Sequence, residues 1–482
     1  MTHSLTHGWW SMVMLLAIAA TVATWAVVVG PALVSAAQRG RMQPSIMLLY
    51  VVGCGQAVLV LVDPAFERGA TTAGSTLHDT ISRGTNAVSL LLVLLSLLSR
   101  AQGSGRKPTS TAVGLTLYGL VIPLSGLVNG GFNSRSLTFP LVVLAVGLVD
   151  NVPIHVVLSH IRVILRLLTA GSLVWLLLSY GHATLLLQGR TLLGIDQLAG
   201  LTRHPNSLGP LAAFALALEI VASRRVGRLF FGATAVTTCV LAQSRAGWLA
   251  AAVVVLVLSG RRLGPRVTVP ATLLLAFVGA SIAASPQSLD VVTRLNGRGE
   301  IWSVAWSVAR SHPMLGAGPN ALLRQAELGH VSAVGIQAHN QFLDTLAKTG
   351  LIGLAAVLLF VSAAVACGIS LIRQGQPIPL ALTMALLIDC MFEAPLELKL
   401  LPLACVAVIA AAQKPVQSSA LPIVPNHRQG RAPGPRLAPG HARPVSPGRP
   451  AWPDGNQRIA SESLTKSHAS AADDIRGVPL FK

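Results

Sequence analysis

Charged residues are scarce in this chain of 482 residues: Asp, Glu, Lys and Arg make up 11%, whereas a soluble domain carries roughly 25%. Hydrophobic residues make up 52%, and the mean hydropathy is +0.64. This shortage of charge excludes an ordinary soluble domain. Tyr and Phe are also few, and apolar residues do not alternate with polar ones, which argues against a transmembrane β-barrel. The composition therefore predicts a polytopic helical membrane protein, all-α in fold class.

Acidic residues are fewer than basic residues, and the formal net charge is +19. In a soluble protein such a charge would suggest nucleic-acid binding. Here Arg and Lys collect in short loops and in the C-terminal tail, where the positive-inside rule and anionic lipid head groups account for them. The sequence thus predicts membrane lipid as a partner and no nucleic acid.

Paired cysteines are absent. The chain has five Cys, all inside apolar runs, and no two form a CxxC pair. This spacing supports neither a disulfide framework nor a metal site, so we expect no metal and no cofactor. The cysteines are Cys54, Cys239, Cys367, Cys390 and Cys405.

Long apolar runs dominate what is present, and they predict a transmembrane bundle of about 12–13 spans. The first run is read as a retained helix rather than a cleaved signal, because no basic region precedes it. Thirteen spans put the N-terminus outside, and twelve put it inside. The runs lie at roughly 9–30, 46–62, 84–99, 111–128, 137–149, 165–180, 206–222, 229–243, 246–259, 267–284, 350–372, 378–392 and 398–412.

The basic residues fall in every second loop, which predicts that those loops face the cytoplasm. The remaining loops are then external, and residues 285–349 form the largest of them. This gives three regions: N-terminal helices (1–200), a core that includes the external loop (201–412), and a disordered basic tail rich in Pro and Arg (413–482). The basic loop residues are Arg39, Arg41, Arg100, Arg106, Lys107, Arg162, Arg166, Arg224, Arg225, Arg228, Arg261, Arg262, Arg266 and Arg373.

Two external arginines are candidate ligands for an anion. Arg245, in "SRAGWLA", breaks the positive-inside pattern; it either snorkels to the outer head groups or binds an anion. Arg298 begins a predicted helix in which Trp302 and Trp306 follow on the same face, suited either to anchoring in the membrane interface or to stacking on a sugar. The glycine-rich "SHPMLGAGPN" that comes next is either a plain loop or a phosphate cradle.

A histidine precedes a later span in "AHNQFLDTLAKTGLIGL". Asn340 is predicted to cap the helix, with Asp344 in its first turn. His339 is either an interfacial residue with satisfied hydrogen bonds or a general base, since an imidazole can take a proton from a hydroxyl. Guanidinium groups on the same face could hold a diphosphate and offset the charge that grows on it as it leaves.

Four stretches together resemble the O-antigen ligase and polymerase superfamily: "RHPNSLG", "SRAGWLA", "GRGEIWSVAWSVARSHPMLGAGPNALL" and "AHNQFLDTLAKTGLIGL". The resemblance implies a bacterial inner-membrane, multi-pass, metal-independent glycosyltransferase of surface polysaccharide assembly. It implies a glycan donor on polyprenyl diphosphate and a glycan, glycolipid or wall-polymer acceptor. Arg245 and Arg298 would bind the diphosphate, and His339 would be the base. Arg203 and Asn206 would be structural or substrate-facing.

The alternative is a transporter or flippase of lipid-linked glycans, which would need ionisable groups within the bilayer. Glu219, Asp389 and Glu393 are the candidates for such groups. The sequence does not separate ligase from polymerase, because both transfers would use the same three residues.

Overall fold

The computed structural model describes residues 44–62, 76–101, 109–129, 131–132, 141–144, 154–185, 193–222, 225–263, 267, 270–271, 298–331, 337–397 and 408–409. The chain divides into two units, Met1–Gln417 and Ser418–Lys482. The predicted span at 9–30 and the tail lie outside the described residues, as do most residues of the predicted spans at 137–149, 267–284 and 398–412.

The described chain is almost entirely helical, and the expected all-α membrane class is confirmed. The helices are α1 (Pro44–Val62), α2 (Thr76–Ala101), α3 (Ser110–Val128), α4 (Ile154–Leu178), α5 (Tyr180–Ala183), α6 (Pro205–Ile220), α7 (Arg225–Ala242), α8 (Arg245–Leu263), α9 (Arg298–Ser311), α10 (Ala321–Glu327), α11 (Gln341–Arg373) and α12 (Ile378–Phe392). Short 3₁₀ turns occupy Gly200–Thr202 and Pro395–Glu397. Strands β1 (Thr184–Leu185) and β2 (Gln197–Leu198) pair antiparallel.

Nine of the predicted spans coincide with described helices: α1 to α4, α6 to α8, α11 and α12. Four of the described helices, α1, α3, α4 and α11, are long and apolar enough to cross a membrane. Exposed Leu and Val side chains line the outer faces of α2, α3 and α11, as expected for surfaces in contact with lipid.

Helix α6 forms the centre of the bundle and is buried on nearly every side. It packs against α4, α7, α8 and α12. The ring of His204 caps its start by accepting from the Asn206 N–H, and Pro205 fits the first helical position. Gly209 and Gly247 let α6 and α8 approach closely: a Cβ at Gly247 would lie 2.7 Å from the Gly209 Cα. The starts of α6 and α8 therefore lie side by side.

The opposite end of α6 carries a buried ion pair. Arg166 donates to both carboxylate oxygens of Glu219, at 2.6 and 2.8 Å, and its guanidinium lies 4.2 Å from the centre of the Phe231 ring. About 14 helical residues separate this pair from Asn206, which is roughly 20 Å along the axis. Arg166, predicted to be cytoplasmic, thus lies at the end of the bundle away from the start of α6.

Helix α11 reverses direction at Gly350, where φ is 65° and ψ is −161°. We call 341–349 its first arm and 351–373 its second arm. A Cβ at Gly353 would lie 3.4 Å from Thr345 Cγ2, whereas eight residues of straight helix span about 12 Å. The first arm also runs alongside α3 in the same direction, since Gln341 bonds to Tyr118 and the Lys348 carbonyl bonds to Ser125. The predicted span beginning near Gly350 is the second arm.

The glycine-rich turn at 311–320 is hydrogen-bonded to the backbone next to this reversal. The N–H groups of Ala317 and Gly318 donate to the carbonyls of Ala347 and Lys348, at 2.9 and 3.1 Å. The N–H of Gly316 donates to His312 at 3.0 Å. Because all three N–H groups are used within the protein, they favour the plain-loop alternative for this turn.

Replacing Gly350 with Ala is expected to destabilise the protein strongly. The backbone angles of Gly350 lie in a region essentially restricted to Gly, where another residue costs about 1–3 kcal/mol, and the new Cβ would press on the Met314 carbonyl. Thermal unfolding in detergent should show a clear fall in melting temperature. Gly227→Ala is the matched control, because no atom lies within 4 Å of its Cβ position and Ala favours the helix. Equal melting temperatures for the two variants would contradict the reversal.

Candidate active site

A buried carboxylate, Glu393, lies immediately after the last residue of α12 and gathers three side chains. Asn206 Nδ2 donates to its Oε1 at 2.6 Å, and Arg298 Nη2 donates to the same oxygen at 2.9 Å. His339 Nδ1 lies 2.7 Å from Oε2. The Glu393 side chain is only 6% exposed. Three stretches that are distant in the sequence therefore meet at one buried charge.

The surroundings of Glu393 keep it ionised. Burial raises the pKa of this carboxyl, but the hydrogen bond and charge of His339 and the charges of Arg298 and His204 together outweigh burial. The net result is a pKa below the ordinary value of 4.5. Glu393 can therefore act as a fixed acceptor for His339.

His339 has a left-handed backbone, with φ at 48°. Such a conformation is uncommon for a residue other than Gly and often marks a functional site. With its Nδ1 directed at Glu393, the imidazole leaves Nε2 as its second polar atom, and the side chain is 21% exposed. The next residue, Asn340, caps α11 as predicted, because its Oδ1 accepts from the N–H groups of Phe342 and Leu343. Its Nδ2 donates to the Met391 carbonyl at 3.2 Å.

Arg298 begins α9, at the residue where the sequence predicts a helix start. Besides Glu393, its guanidinium donates to the Phe392 carbonyl at 2.7 Å. Within the described residues these are its only hydrogen bonds, so three of its five N–H groups have no protein acceptor there. Its side chain is 16% exposed. Arg298 can therefore hold Glu393 and still donate to an anion.

The two tryptophans of α9 do not share one environment. Trp302 is buried and donates from Nε1 to the Ala338 carbonyl at 2.7 Å. The expected stacking of a sugar on Trp302 is therefore corrected, because its ring lies in a hydrophobic core. We call the two segments that enclose this core, 298–331 and 337–349, the cap. Trp306 is 47% exposed and stays a prediction for sugar contact. The core of the cap comprises Ile301, Trp302, Ala305, Val308, Ala321, Leu322, Val331, Ala338 and Ala347.

The other two predicted arginines differ in their surroundings. Arg203, at φ 66°, donates to the Leu59 carbonyl at 2.9 Å, which ties it to α1. Arg245 is exposed at the first position of α8, beside the start of α6. Among the described residues its side chain makes no hydrogen bond or ion pair. Arg245 thus lies at the same end of the bundle as Asn206 without contacting Glu393.

Among the described helices, α6, α8, α9 and α11 begin at this end of the bundle. The starts of α6, α9 and α11 are joined through Glu393, and α8 begins beside α6. Each helix start carries partial positive charge. Because Glu393 offsets Arg298, these helix starts and Arg245 supply the positive field that remains for an anionic ligand.

Sequence reasoning missed Glu393 as a site residue and considered it only for transport. It also gave no role to His204, whose ring caps α6 and whose charge lowers the Glu393 pKa. One signal was available: an acidic residue directly after an apolar run, in "DCMFEAPLE", is costly to bury unless it is paired. What the sequence does not give is which of the distant basic residues pairs with it.

The fold and the site define an α-helical membrane protein with a His–Glu–Arg cluster at one end of its bundle. Residues 230–358 match the model of the protein family described as O-antigen ligase, and this match supports membership of that family. The matched segment contains Arg245, Arg298 and His339, whereas Glu393 follows it. The match indicates an O-antigen ligase-like enzyme and supports a membrane glycosyltransferase activity of the ligase/polymerase type in polysaccharide assembly. No significant match to a curated protein was found.

Replacing Glu393 with Gln is expected to destabilise the protein in a pH-dependent way. Because the folded pKa lies below 4.5, the stabilisation from Glu393 is present above about pH 4.5 and is lost as the pH falls through the folded pKa. Near neutral pH the loss should be about 3 kcal/mol or more, as for other broken buried pairs. Melting temperatures in detergent from pH 3 to 7 would measure it.

The melting curves of the wild type and Glu393→Gln should converge at the acidic end. Glu300→Gln, which removes an exposed carboxylate on α9, is the matched control and should change little. A constant gap between wild type and Glu393→Gln across the whole pH range would contradict the charged state assigned to Glu393.

Proposed function

We propose that the chain transfers glycan from a polyprenyl-diphosphate carrier to an acceptor hydroxyl at the extracytoplasmic face of the bacterial inner membrane. The observation that carries this proposal is the junction of His339 and Arg298 on the buried Glu393. It joins a proton acceptor and a guanidinium at one end of a helical bundle. Family membership supports the reaction class.

His339 is the proposed general base. With Nδ1–H donated to Glu393, the lone pair of Nε2 is free to accept a proton. The acceptor hydroxyl gives its proton to Nε2, and its oxygen attacks the anomeric carbon. The bond from that carbon to the diphosphate breaks, and polyprenyl diphosphate leaves with the electron pair. Glu393 stabilises the imidazolium that forms, so it acts by positioning and by charge.

The diphosphate is the proposed ligand of Arg298 and Arg245. Arg298 has N–H groups free of protein acceptors in the described structure, and Arg245 is exposed at the start of α8, at the same end of the bundle. The four helix starts add positive field without adding titratable charge. Because negative charge on the leaving diphosphate increases as the bond breaks, these groups stabilise the transition state more than the ground state. Transfer by this route uses no metal.

The external orientation of the site is supported by the charges at the opposite end. Arg166 pairs with Glu219 at the end of α6 away from the site. Phe360, in the second arm of α11, packs against Gly114 near the start of α3, and Arg373 ends that arm, so Arg373 also lies at the end of the bundle away from the site. If the basic end faces the cytoplasm, as the positive-inside rule requires, the site faces outward.

Transport of a lipid-linked glycan has less support among the described residues. Glu219 is paired with Arg166, and Glu393 is paired with Arg298 and His339. Asp389 is the remaining candidate; neither of its carboxyl oxygens has a hydrogen-bond partner in the described structure. The two functions therefore depend on different residues.

Replacing His339 with Ala should reduce glycan transfer by roughly 10²- to 10⁴-fold, since that is the usual contribution of a general base. The measurement is transfer in proteoliposomes supplied with a lipid-diphosphate glycan and an acceptor. His312→Ala removes an exposed histidine of the cap and should leave the rate near that of the wild type.

Asp389→Asn separates the alternatives in the same proteoliposomes. It should retain transfer if the chain is a glycosyltransferase. Full transfer in His339→Ala, together with loss of glycan translocation in Asp389→Asn, would support the transporter instead. The product lengths would then distinguish a polymerase, which gives a ladder, from a ligase, which adds one block.

Arg245→Ala should weaken binding of the donor. A charge-assisted hydrogen bond to phosphate contributes about 1.5–3 kcal/mol, and exposure puts Arg245 at the lower end, so KM for the lipid-diphosphate donor should rise about tenfold. Arg245→Lys should restore part of the affinity. Arg310→Ala, an exposed arginine of the cap, is the control. An unchanged donor KM in Arg245→Ala would leave this residue with a snorkelling role.

A further inference from the structure

Ala338, the residue before His339, is held through both its backbone N–H and its backbone carbonyl by side chains. The N–H of Ala338 donates to Asp344 Oδ1 at 2.9 Å, and its carbonyl accepts from Trp302 Nε1 at 2.7 Å. Ala338 is fully buried. These bonds belong to no helix or sheet, so the conformation at this point depends on two specific side chains from two different helices.

The conformation that they hold is an unusual one. His339 follows Ala338 directly and has φ at 48°. A non-Gly residue in this region relaxes to negative φ unless its surroundings prevent it. A change in φ at His339 rotates its Cβ about the chain, and the imidazole would then leave Glu393. The contacts of Ala338 thus bear directly on where the His339 ring points.

Asp344 is a buried charged residue, and removing its charge from water costs free energy. It lies in the first arm of α11 with no exposed surface, and it forms an ion pair with Lys348, 4% exposed, at 2.7 Å. A buried ion pair often contributes no more stability than apolar residues of the same volume. Lys348 balances the charge, while Asp344 uses its other oxygen for Ala338. The pair therefore suits a role in geometry better than a role in stability alone.

We propose that Asp344 and Trp302 are positioning residues for His339, with Lys348 as the counter-ion of Asp344. They fix the backbone at Ala338, through its N–H and its carbonyl. The imidazole of His339 then bonds to Glu393 through Nδ1 and presents Nε2 to the acceptor hydroxyl. This inference rests on the proposed function, in which His339 is the base. Neither residue touches the substrate, so their loss should lower kcat and leave the donor KM unchanged.

Two double variants test the bond from Asp344 without leaving a charge unpaired. D344N/K348M keeps an acceptor oxygen for Ala338, whereas D344L/K348M removes it. We expect D344L/K348M to lower kcat at least 100-fold with donor KM within twofold of the wild type. D344N/K348M should stay within about threefold of the wild-type kcat. Equal losses in the two variants, or no loss in either, would overturn the proposal.

Trp302→Phe tests the second bond, the one to the Ala338 carbonyl. It also tests the proposal if D344L/K348M does not fold. It removes the donor to Ala338 and keeps an aromatic ring in the core of the cap. We expect kcat to fall about tenfold with donor KM unchanged. Trp248→Phe is the matched control, because its Nε1 likewise donates to a backbone carbonyl, that of Cys239, at 2.9 Å. Equal kcat for the two Phe variants would count against the inference.

His339→Ala, measured in the same assay, separates the inference from the proposed function. If His339→Ala abolishes transfer and the Asp344 and Trp302 variants do not lower kcat, the base stands and the positioning role is wrong. If His339→Ala transfers at the wild-type rate, the proposed base is wrong, and the positioning role falls with it.

Discussion

A carboxylate buried at the end of α12 requires partners, because an unpaired charge in a low-dielectric interior is very costly. Glu393 takes them from Asn206, Arg298 and His339. Asn206 lies in the first turn of α6, Arg298 begins α9, and His339 lies just before α11. These bonds connect the central helix α6 and the end of α12 to the two segments of the cap. The cluster is thus the point at which the membrane bundle and the cap are joined, and the same bonds that satisfy the charge orient the proposed base.

The reversal at Gly350 makes this arrangement geometrically possible. The Lys348 carbonyl bonds to Ser125 near the end of α3, and seven residues earlier Gln341 reaches Tyr118 inside the bundle. His339 therefore enters the site from within the bundle and not from its rim. Seven helical residues correspond to about 10 Å of depth. In the proposed reaction, the acceptor hydroxyl and the lipid-borne diphosphate would meet there with part of the surrounding water excluded, which strengthens charge interactions.

The helices were predictable because hydrophobic length is a local property of the sequence. The capping of α11 by the Asn340 side chain and the start of α9 at Arg298 were predictable for the same reason, since both depend on a few neighbouring residues. The pairing of Glu393 with His339 spans 54 positions and depends on how α11 and α12 pack. The burial of Trp302 depends on the core of the cap, and the reversal depends on one dihedral angle. Such long-range facts leave little trace in the pattern of a single sequence.

The strained backbones in the site are understandable once the direction of each side chain is considered. Arg203 and His339 both have positive φ, a conformation that costs roughly 1–3 kcal/mol at each such residue. In a chain free to relax, either residue would take a helical or extended conformation and turn its side chain elsewhere. Arg203 is held through its guanidinium on α1, and His339 is held through the peptide before it. Side-chain contacts therefore maintain the backbone that the chemistry requires, the reverse of the usual order, in which the backbone determines where side chains point.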